Sequence, residues 1–322
     1  LLLGVRAESR LAMLMPLELS RCPSYLEACR TIGAFAVPFG RIRNDIEMEN
    51  AIIKMKELGV THIHCSTSRL LSITQKAKEL GFNLKSDFKL KHLYGASLFV
   101  SKKTRGYIET EWGGEFFDTY GANEVSYIGG ECQMHDGLQL LPGISYVEVV
   151  NQDTGKQITD NKSMGEILVT NFSNFGTPLL RYHVGDLGTI SYSQCKCGLS
   201  FPRLYIKGRT AFTLYIGGTK LDAYEVDAAL SKSTKVTHNY QAIVEKKSNI
   251  DYITFRIECF DINAINSTEK KLLIKYLEKA SFEIFLKVQE NKVKIDVNLL
   301  PLGNLERTER DKIKNQVVQQ PS

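Results

Sequence analysis

The stretch Arg181–Arg209, RYHVGDLGTISYSQCKCGLSFPRLYIKGR, carries three chemical signals in one short piece of chain. They are an Arg-Tyr-x-x-Gly-Asp turn ending at Asp186, a Cys-x-Cys-Gly knuckle beginning at Cys195, and a Gly-Arg pair ending at Arg209. A carboxylate offers two acceptor oxygens, and glycine lets the backbone turn with positive φ, so an aspartate on a glycine turn suits two neighbouring hydroxyls. The ribose of a nucleotide carries such a pair, although an ordinary surface turn uses the same residues.

The composition is that of an ordinary globular protein. The 322 residues are 43% hydrophobic and 24% charged, which allows a full core and more than one domain. The net charge of +5 suits anionic ligands. The sequence has no basic stripe with interleaved aromatics, so nucleic-acid binding is not expected. Seven cysteines and no recognisable secretory signal favour a reduced, cytoplasmic setting. No apolar run approaches the roughly 18 to 20 residues of a membrane span, so no membrane partner is expected.

The pattern of apolar residues predicts three parts. Up to residue 130, short apolar runs alternate with amphipathic stretches, which predicts the α/β part of a larger domain. Residues 131–208 read as short strands and turns and predict a small, distorted β-subdomain. Residues 209–322 predict a small, mobile C-terminal α+β domain, with a helix at 222–231, strands around 242–244 and 252–258, a long helix from 267 to about 285, and a strand at 293–299.

Five motifs follow one another at a specific spacing. They are TYGANE at 119–124, GEILVTN followed by TPLLRYHVGDL at 165–187, CKCG at 195–198, IKGRT at 206–210 and IGGTKLDAYEVDAAL at 216–230. In this order they resemble the phenylacetate-CoA ligase family of adenylate-forming enzymes, from about Gly4 to the C-terminus. The resemblance implies the adenylate-forming enzyme fold, with a partial α/β core, a β-subdomain and a C-terminal α+β domain.

The resemblance also implies a two-step reaction. An aryl or acyl carboxylic acid and ATP give an acyl-adenylate and pyrophosphate, and coenzyme A then displaces AMP to give a thioester. The implied ligands are therefore the acid, ATP or AMP with Mg²⁺, and coenzyme A, and a homodimer stays open. Two alternatives also stay open: an adenylating enzyme with a non-CoA acceptor, such as a protein thiol, a carrier or another small molecule, and a catalytically silent nucleotide-binding relative.

The family motifs assign roles to individual residues. Glu124 would help to hold Mg²⁺ against the phosphates, a role that suits a single hard carboxylate. Tyr120 and the adjoining Gly121 would lie near the adenine, Asp186 would accept the ribose hydroxyls, and Arg209 would reach the ribose or the α-phosphate. Arg181 is either part of this site or an ion-pair partner that holds the turn.

Two family motifs are altered in this chain. Gly95, Ala96 and Ser97 would line the adenine pocket, but the family usually has glutamate where this chain has Ser97. Near the C-terminus, Asp311 stands where the family has its catalytic lysine, so Lys312 would serve if the loop shifts by one residue. An ammonium there would neutralise charge that develops during adenylation. An ordinary exposed lysine is the other interpretation of Lys312.

Two short pairs, Cys132-x-x-His135 and Cys195-x-Cys197, form a Cys₃His set suited to a closed, tetrahedral zinc site. Such a site would staple the β-subdomain and take no part in catalysis. Family members often have Gly-x-His before the later cysteines, whereas this chain has Gln139 at that place. The alternative is three free thiols and an exposed histidine.

One feature of the resembling enzymes is expected outside this chain. They place a Ser/Thr/Gly-rich phosphate loop upstream of the position of Gly4, and its backbone N–H groups cradle phosphates. We therefore expect either that the chain is a fragment or that a preceding part supplies the loop. Without it, the site would bind the β- and γ-phosphates poorly.

Overall fold

The computed structural model of the protein describes residues 4–19, 21–96, 100–172, 174–209, 213–306 and 317–319. The chain forms two compact units. The first consists of Leu1–Leu98 and Arg105–Lys207, and the second of Phe99–Thr104 and Gly208–Ser322. The three-part division at 130 and 208 stays a prediction, and residue 130 lies inside the strand Ser126–Glu131.

Five parallel strands begin the main sheet, in the spatial order β2-β1-β3-β4-β5. The strands are β1 (Arg10–Met13), β2 (Phe35–Pro38), β3 (His62–His64), β4 (His92–Gly95) and β5 (Glu115–Ala122). The helices between them are α1 (Arg21–Ile32), α2 (Asp45–Glu57), α3 (Thr67–Glu79), α4 (Leu84–Phe88) and α5 (Lys102–Trp112). This alternation confirms the predicted α/β class.

Local sequence signals explain where these helices begin. The side chain of Asn44 accepts a hydrogen bond from the N–H of Glu47 at the start of α2, and Ser66 does the same for Arg69 at the start of α3. Such caps satisfy backbone donors that have no partner within the helix. Each of these two helices therefore begins at a side chain that caps it.

The sheet continues through β5 into the antiparallel half of the first unit. There β5 pairs with β6, and the order runs β5-β6-β7-β11-β10-β9-β8, which gives an eleven-stranded sheet. These strands are β6 (Ser126–Glu131), β7 (Leu138–Leu140), β8 (Ser145–Val150), β9 (Gly165–Asn171), β10 (Tyr182–Ser191) and β11 (Arg203–Arg209). One strand, β5, thus carries both halves of the sheet, and the predicted nucleotide motif begins within it.

The second unit has its own sheet, in the order β16-β15-β14-β17, and a separate hairpin of β12 and β13. Its strands are β12 (Leu214–Ile216), β13 (Thr219–Leu221), β14 (Val236–Lys247), β15 (Ile250–Cys259), β16 (Val293–Pro301) and β17 (Val317–Gln319). Its helices are α6 (Ala223–Leu230), α7 (Ser267–Glu278) and α8 (Phe282–Gln289), with a 3₁₀ turn at Ile262–Ala264. A core formed by both sheet and helices belongs to this unit alone.

The predicted long helix from 267 to about 285 was wrong, because the structure divides it into α7 and α8. Helix α7 ends at Glu278, and the side chain of Ser281 accepts from the N–H of Ile284 to begin α8. A serine that caps a new helix offers the backbone an alternative to continuing the old one.

Among the residues that the structure describes, none of the helices is long and apolar enough to cross a membrane.

Candidate functional site

A hydrogen bond joins the two motifs predicted to bind the nucleotide. The hydroxyl of Tyr120 donates to Oδ2 of Asp186 at 2.6 Å, although the residues are 66 positions apart. Both side chains are buried, at 7% and 4% exposure. The ring of Tyr120 packs in an apolar cluster with residues that include Val125 and Ile128. The structure therefore brings both residues to one place in the first unit.

The backbone of β10 explains how Asp186 is presented. The pairing of β10 with β9 shifts register between His183 and Leu187, and Gly185 has a φ of 78°. The sequence predicted a turn here, whereas the structure has an irregularity within a long strand. Such a bulge leaves residues outside the regular ladder and redirects a side chain, which is how a strand can present a carboxylate.

Gly95 ends β4, and Ala96 follows it half-buried. A Cβ atom on Gly95 would lie 2.3 Å from the ring of Phe116 and 2.5 Å from the hydroxyl of Thr67. Because real Cβ contacts are not this short, packing inside the first unit alone requires glycine at this position. This packing explains the glycine without a ligand, so the contact of Gly95 with adenine, which would involve its backbone, stays a prediction.

The turn from β5 to β6 carries the rest of the Tyr-Gly-Ala-Asn-Glu motif. A Cβ on Gly121 would lie 2.5 Å from the carbonyl oxygen of Ser126, so the close approach of the two strands requires glycine. Glu124 lies exposed on the turn itself. An exposed carboxylate is accessible to a cation, and its predicted role toward Mg²⁺ stays a prediction.

The structure describes only some of the other residues predicted for this site. Ser97 and Lys312 lie outside the described residues. Arg209 belongs to the second unit, where it is half-buried at the end of β11. Arg181, with a φ of 47°, places its Nε 3.1 Å from a carboxylate oxygen of Glu148. This ion pair favours the structural role for Arg181 over the nucleotide-binding one.

Three cysteines meet in the first unit. Cys132 follows β6, while Cys195 and Cys197 precede β11, and their sulfur atoms all lie within 4.8 Å of one another. The Sγ atoms of Cys132 and Cys195 are 3.7 Å apart. Zinc–sulfur bonds of about 2.3 Å at tetrahedral angles place two sulfurs about 3.8 Å apart. The cysteines therefore fit a zinc ion in both chemistry and spacing.

Backbone amides act on two of these thiols: that of Met134 lowers the pKa of Cys132, and that of Cys197 lowers the pKa of Cys195. Burial raises the pKa of the Cys132 thiol to about 11. Burial acts the same way on Cys195, but hydrogen bonds from Cys197 and Cys132 and the charge of Arg203 outweigh it and lower the pKa of Cys195. Of these two thiols, Cys195 therefore becomes the metal-binding thiolate more readily than Cys132.

The structure does not bring His135 to the cysteines. Its backbone has a φ of 48° in a turn closed by its N–H on the carbonyl of Cys132, which directs the ring elsewhere. Nδ1 lies 3.1 Å from Glu131 and Nε2 lies 3.2 Å from Glu115. The hydrogen bond with Glu131 raises the pKa of His135. Both ring nitrogens thus face carboxylates, a geometry that does not support the predicted ligand role.

Sequence reasoning missed the charged cluster around Glu131. Arg105 donates to both of its carboxylate oxygens at 2.7 Å, and the N–H of Asp118 donates to it at 2.8 Å. Burial would raise the pKa of Glu131, but His135 and Arg105 together lower it. Burial, followed by the charge of Glu131, raises the pKa of Asp118 well above its usual value. An acidic residue inside the apolar run EFFDTYG was the sequence signal for Asp118.

Comparison with known proteins identifies similar chains. No protein-family model matches. The chain is 24% identical over 277 residues to the phenylacetate-coenzyme A ligase of Thermus thermophilus, covering 83% of this chain and 62% of that one. It is 25% identical over 199 residues to the phenylacetate-coenzyme A ligase of Aromatoleum evansii, covering 61% and 44%. The chain thus spans less than two thirds of the length of these relatives.

Solved structures share the fold. A 2-hydroxyisobutyryl-CoA ligase in the postadenylation state, in complex with an acyl-AMP, superposes with a TM-score of 0.81 at 19% identity, covering 99% of this chain and 67% of that one. An anthranilate CoA ligase in complex with anthranoyl-AMP gives a TM-score of 0.67 at 15% identity, covering 97% and 59%. The predicted resemblance to phenylacetate-CoA ligases and the predicted adenylate-forming fold are both confirmed.

Proposed function

We propose that the protein activates an aryl or acyl carboxylic acid with ATP and transfers the acyl group to coenzyme A. One observation carries the proposal: Tyr120 and Asp186, from two motifs far apart in sequence, meet at 2.6 Å although their strands are not neighbours in the sheet. The similar ligases of known structure hold acyl-AMP ligands. A shared fold together with the joined motifs supports adenylation better than either does alone.

The proposed roles follow from the chemistry of the side chains. Oδ1 and Oδ2 of Asp186 would accept the two ribose hydroxyls, with Tyr120 holding the carboxylate in place. The flat adenine would lie against the backbone of Gly95, Ala96 and Gly121. Glu124 would contribute one carboxylate oxygen to Mg²⁺, which usually binds through one or two carboxylates together with phosphate oxygens and water.

Two further residues concern the transferred group. Arg209 would reach the ribose or α-phosphate, and Lys312 would neutralise the charge that develops between the acid and that phosphate. A C-terminal domain that moves between the two half-reactions, with residues 209–322 as the moving part, belongs to the same proposal. Motion of this kind lets one site serve two steps.

The proposal includes a structural zinc ion held by Cys132, Cys195 and Cys197. When bound, zinc would tie the end of β6 to the loop that leads into β11. The ion would supply rigidity, because three thiolates and a fourth ligand leave no open position for a substrate. Its role would therefore be to hold the sheet on which Tyr120 and Asp186 are mounted.

Nucleotide binding tests the site directly. Calorimetric titration of AMP, and of ATP with Mg²⁺, should show binding to the wild-type protein. Asp186→Ala should weaken AMP at least about 100-fold, because two charge-assisted hydrogen bonds are worth about 1.5 to 3 kcal/mol each. The control is Asp153→Ala, an exposed loop aspartate, which should bind AMP as the wild type does. Equal AMP binding by wild type and Asp186→Ala would overturn the proposed ribose contact.

Product analysis separates the proposed ligase from the two alternatives. The wild-type protein, ATP and Mg²⁺ are incubated with a panel of carboxylic acids, with and without coenzyme A. Pyrophosphate release and an acyl-CoA thioester support the ligase. Pyrophosphate release without a thioester indicates a different acceptor, and nucleotide binding without pyrophosphate release across the panel indicates a silent relative.

A further inference from the structure

The side chain of Gln139 lies against two of the three cysteines. Gln139 is in β7 and is fully buried, at 0% exposure. Its Nε2 lies 3.5 Å from the Sγ of Cys132 and 4.0 Å from the Sγ of Cys197. Within the described part of the chain, its Oε1 has no hydrogen-bond partner. A buried acceptor without a partner costs roughly 1 to 3 kcal/mol, so this position calls for an explanation.

The backbone holds this amide beside the sulfurs. Strand β7 lies between β6, which ends just before Cys132, and β11, which begins after Cys197. Gln139 pairs with Gly130 on one side and with Arg203 on the other. The amide is therefore placed by two strand pairings, and its position does not depend on a flexible loop.

Two distances are close to those expected at the fourth corner of a tetrahedron. A zinc ion with zinc–sulfur bonds of about 2.3 Å and a zinc–oxygen bond of about 2.1 Å places that oxygen about 3.6 Å from each sulfur. The amide atom that faces these cysteines is Nε2, which lies 3.5 Å from the Sγ of Cys132 and 4.0 Å from the Sγ of Cys197. Half a turn about the last side-chain bond exchanges the oxygen and nitrogen of a glutamine, which have nearly the same shape.

We propose that the carboxamide oxygen of Gln139 is the fourth ligand of a zinc ion held by Cys132, Cys195 and Cys197. The inference rests on the zinc site proposed above and is independent of the ligase activity. Once the amide has made this half turn, ligation gives the orphaned acceptor Oε1 a partner. It also gives Gln139 the position for which the sequence had proposed His135, whose ring nitrogens face carboxylates instead.

The ligand set has a chemical consequence. Three thiolates and a neutral amide leave the site with a net charge of −1, next to the buried Arg203, whose charge acts on Cys195. An amide oxygen is a weaker zinc ligand than an imidazole nitrogen, since zinc is borderline-soft. The site should therefore hold zinc less tightly than a Cys₃His site built on the same backbone.

Metal competition with a chromophoric chelator tests the inference on the full-length chain. The expected order of zinc affinity is Gln139→His above wild type above Gln139→Leu. The leucine variant should lose at least about tenfold in affinity, the lower end of what even an outer partner of a metal ligand contributes. The control is Gln241→Leu, a buried glutamine of the second unit, which should bind zinc as the wild type does.

Cobalt substitution separates ligation from simple N–H donation to the sulfurs. If the amide is a ligand, the wild-type Co²⁺ protein is closed, and azide should change its visible spectrum only in Gln139→Leu. A wild-type spectrum that responds to azide, or a leucine variant that binds zinc within about twofold of wild type, overturns the inference. Should Gln139→Leu fail to fold, Gln139→His carries the test, because an unchanged Co²⁺ spectrum in that variant also overturns it. Absence of stoichiometric metal in all variants would reject the zinc site itself, while AMP binding would still report on the ligase.

Discussion

Two pairs of side chains link residues 120–132 to residues 186–195, and the two pairs differ in the kind of contact they make. Tyr120 and Asp186 are 66 positions apart and meet as a complete hydrogen bond of 2.6 Å. Cys132 and Cys195 are 63 positions apart and meet as two sulfurs 3.7 Å apart, with Cys197 beside them. The first pair is stabilised by a hydrogen bond within the chain, whereas the second brings together sulfur atoms that could bind a cation. Stability and ligand binding should therefore respond differently at the two places.

Removal of a cysteine ligand should have the largest effect. Apparent binding energies of structural zinc in small peptides are about 10 to 16 kcal/mol, and even half of this exceeds a single hydrogen bond. We expect Cys197→Ser, or a chelator, to lower the melting temperature of the wild-type protein by more than about 10 °C, at about 2 to 4 °C per kcal/mol. Thermal unfolding with and without chelator measures this.

The control for that experiment is Cys259→Ser, a buried cysteine of the second unit. It should cost some stability on its own, since it buries a hydroxyl, but its response to the chelator should equal that of the wild type. A chelator response that survives in Cys197→Ser would contradict the assignment of this cysteine as a ligand.

Loss of Arg105 should be next in size. The half-buried guanidinium faces both oxygens of the buried Glu131, and its loss leaves that carboxylate and Asp118 without this cation. Breaking a buried pair by removing one partner costs about 3 to 5 kcal/mol, and we expect this for Arg105→Met in denaturant unfolding. Zinc content should remain, because Arg105 contacts no cysteine sulfur among the described contacts.

An exposed arginine provides the matched control. Arg30 pairs with Glu27 one turn earlier on α1, with both side chains largely exposed. Arg30→Met should change the free energy of unfolding by less than about 1 kcal/mol, as exposed pairs usually do. Similar costs for the two variants would mean that the cluster around Glu131 is not a buried network.

The sequence predicted the helices and strands well, but it predicted only some of the contacts between side chains. Strands and helices of the first unit follow from apolar spacing and from caps such as Asn44 and Ser66, which act within a few residues. The break at Ser281 was missed because apolar residues continue at helical spacing on both sides of it. A capping hydroxyl decided that case, and spacing alone does not reveal whether a serine caps.

The candidate site shows the same limit at longer range. The motifs identified Asp186 and Cys195, but the direction of each side chain depends on backbone angles and strand pairing. His135 turns away because its φ is 48°, and Gln139 turns in because β7 lies between two strands. Asp118 carried a visible signal in sequence, whereas its neighbour Glu131 gave none until β5 and β6 were paired.

A milder change tests the pairing that is complete in the chain. Tyr120→Phe keeps the ring in its apolar cluster and removes only the hydroxyl bonded to Asp186. Hydrogen bonds to charged groups contribute about 1.5 to 3 kcal/mol, so we expect a loss of that size in the free energy of unfolding. AMP affinity should fall by less than it does in Asp186→Ala. Tyr146→Phe, an exposed tyrosine of the same unit, should change neither quantity measurably. AMP binding lost as completely as in Asp186→Ala would place the tyrosine among the direct nucleotide contacts.

The smallest expected effect distinguishes the carboxylate cluster from the metal site. His135→Gln should keep zinc at wild-type stoichiometry, since the ring faces Glu131 and Glu115. Its hydrogen bond with Glu131 raises the pKa of His135 in the folded protein. A raised folded pKa gives stability that is fully present below the unfolded value near 6.5 and is lost as the pH rises through the folded pKa.

The difference in unfolding free energy between wild type and His135→Gln should therefore be about 0.5 to 1.5 kcal/mol at pH 6 and smaller at pH 9. Arg105, which lies 3.0 Å from Nδ1, opposes the protonated form and limits the size of this difference. His183→Gln is the control, because that histidine is exposed and pairs with Glu166. This variant should change the free energy of unfolding by less than His135→Gln does. If His135→Gln instead lowered the free energy of unfolding equally at pH 6 and pH 9 and also lost zinc, His135 would be a zinc ligand beside the three cysteines.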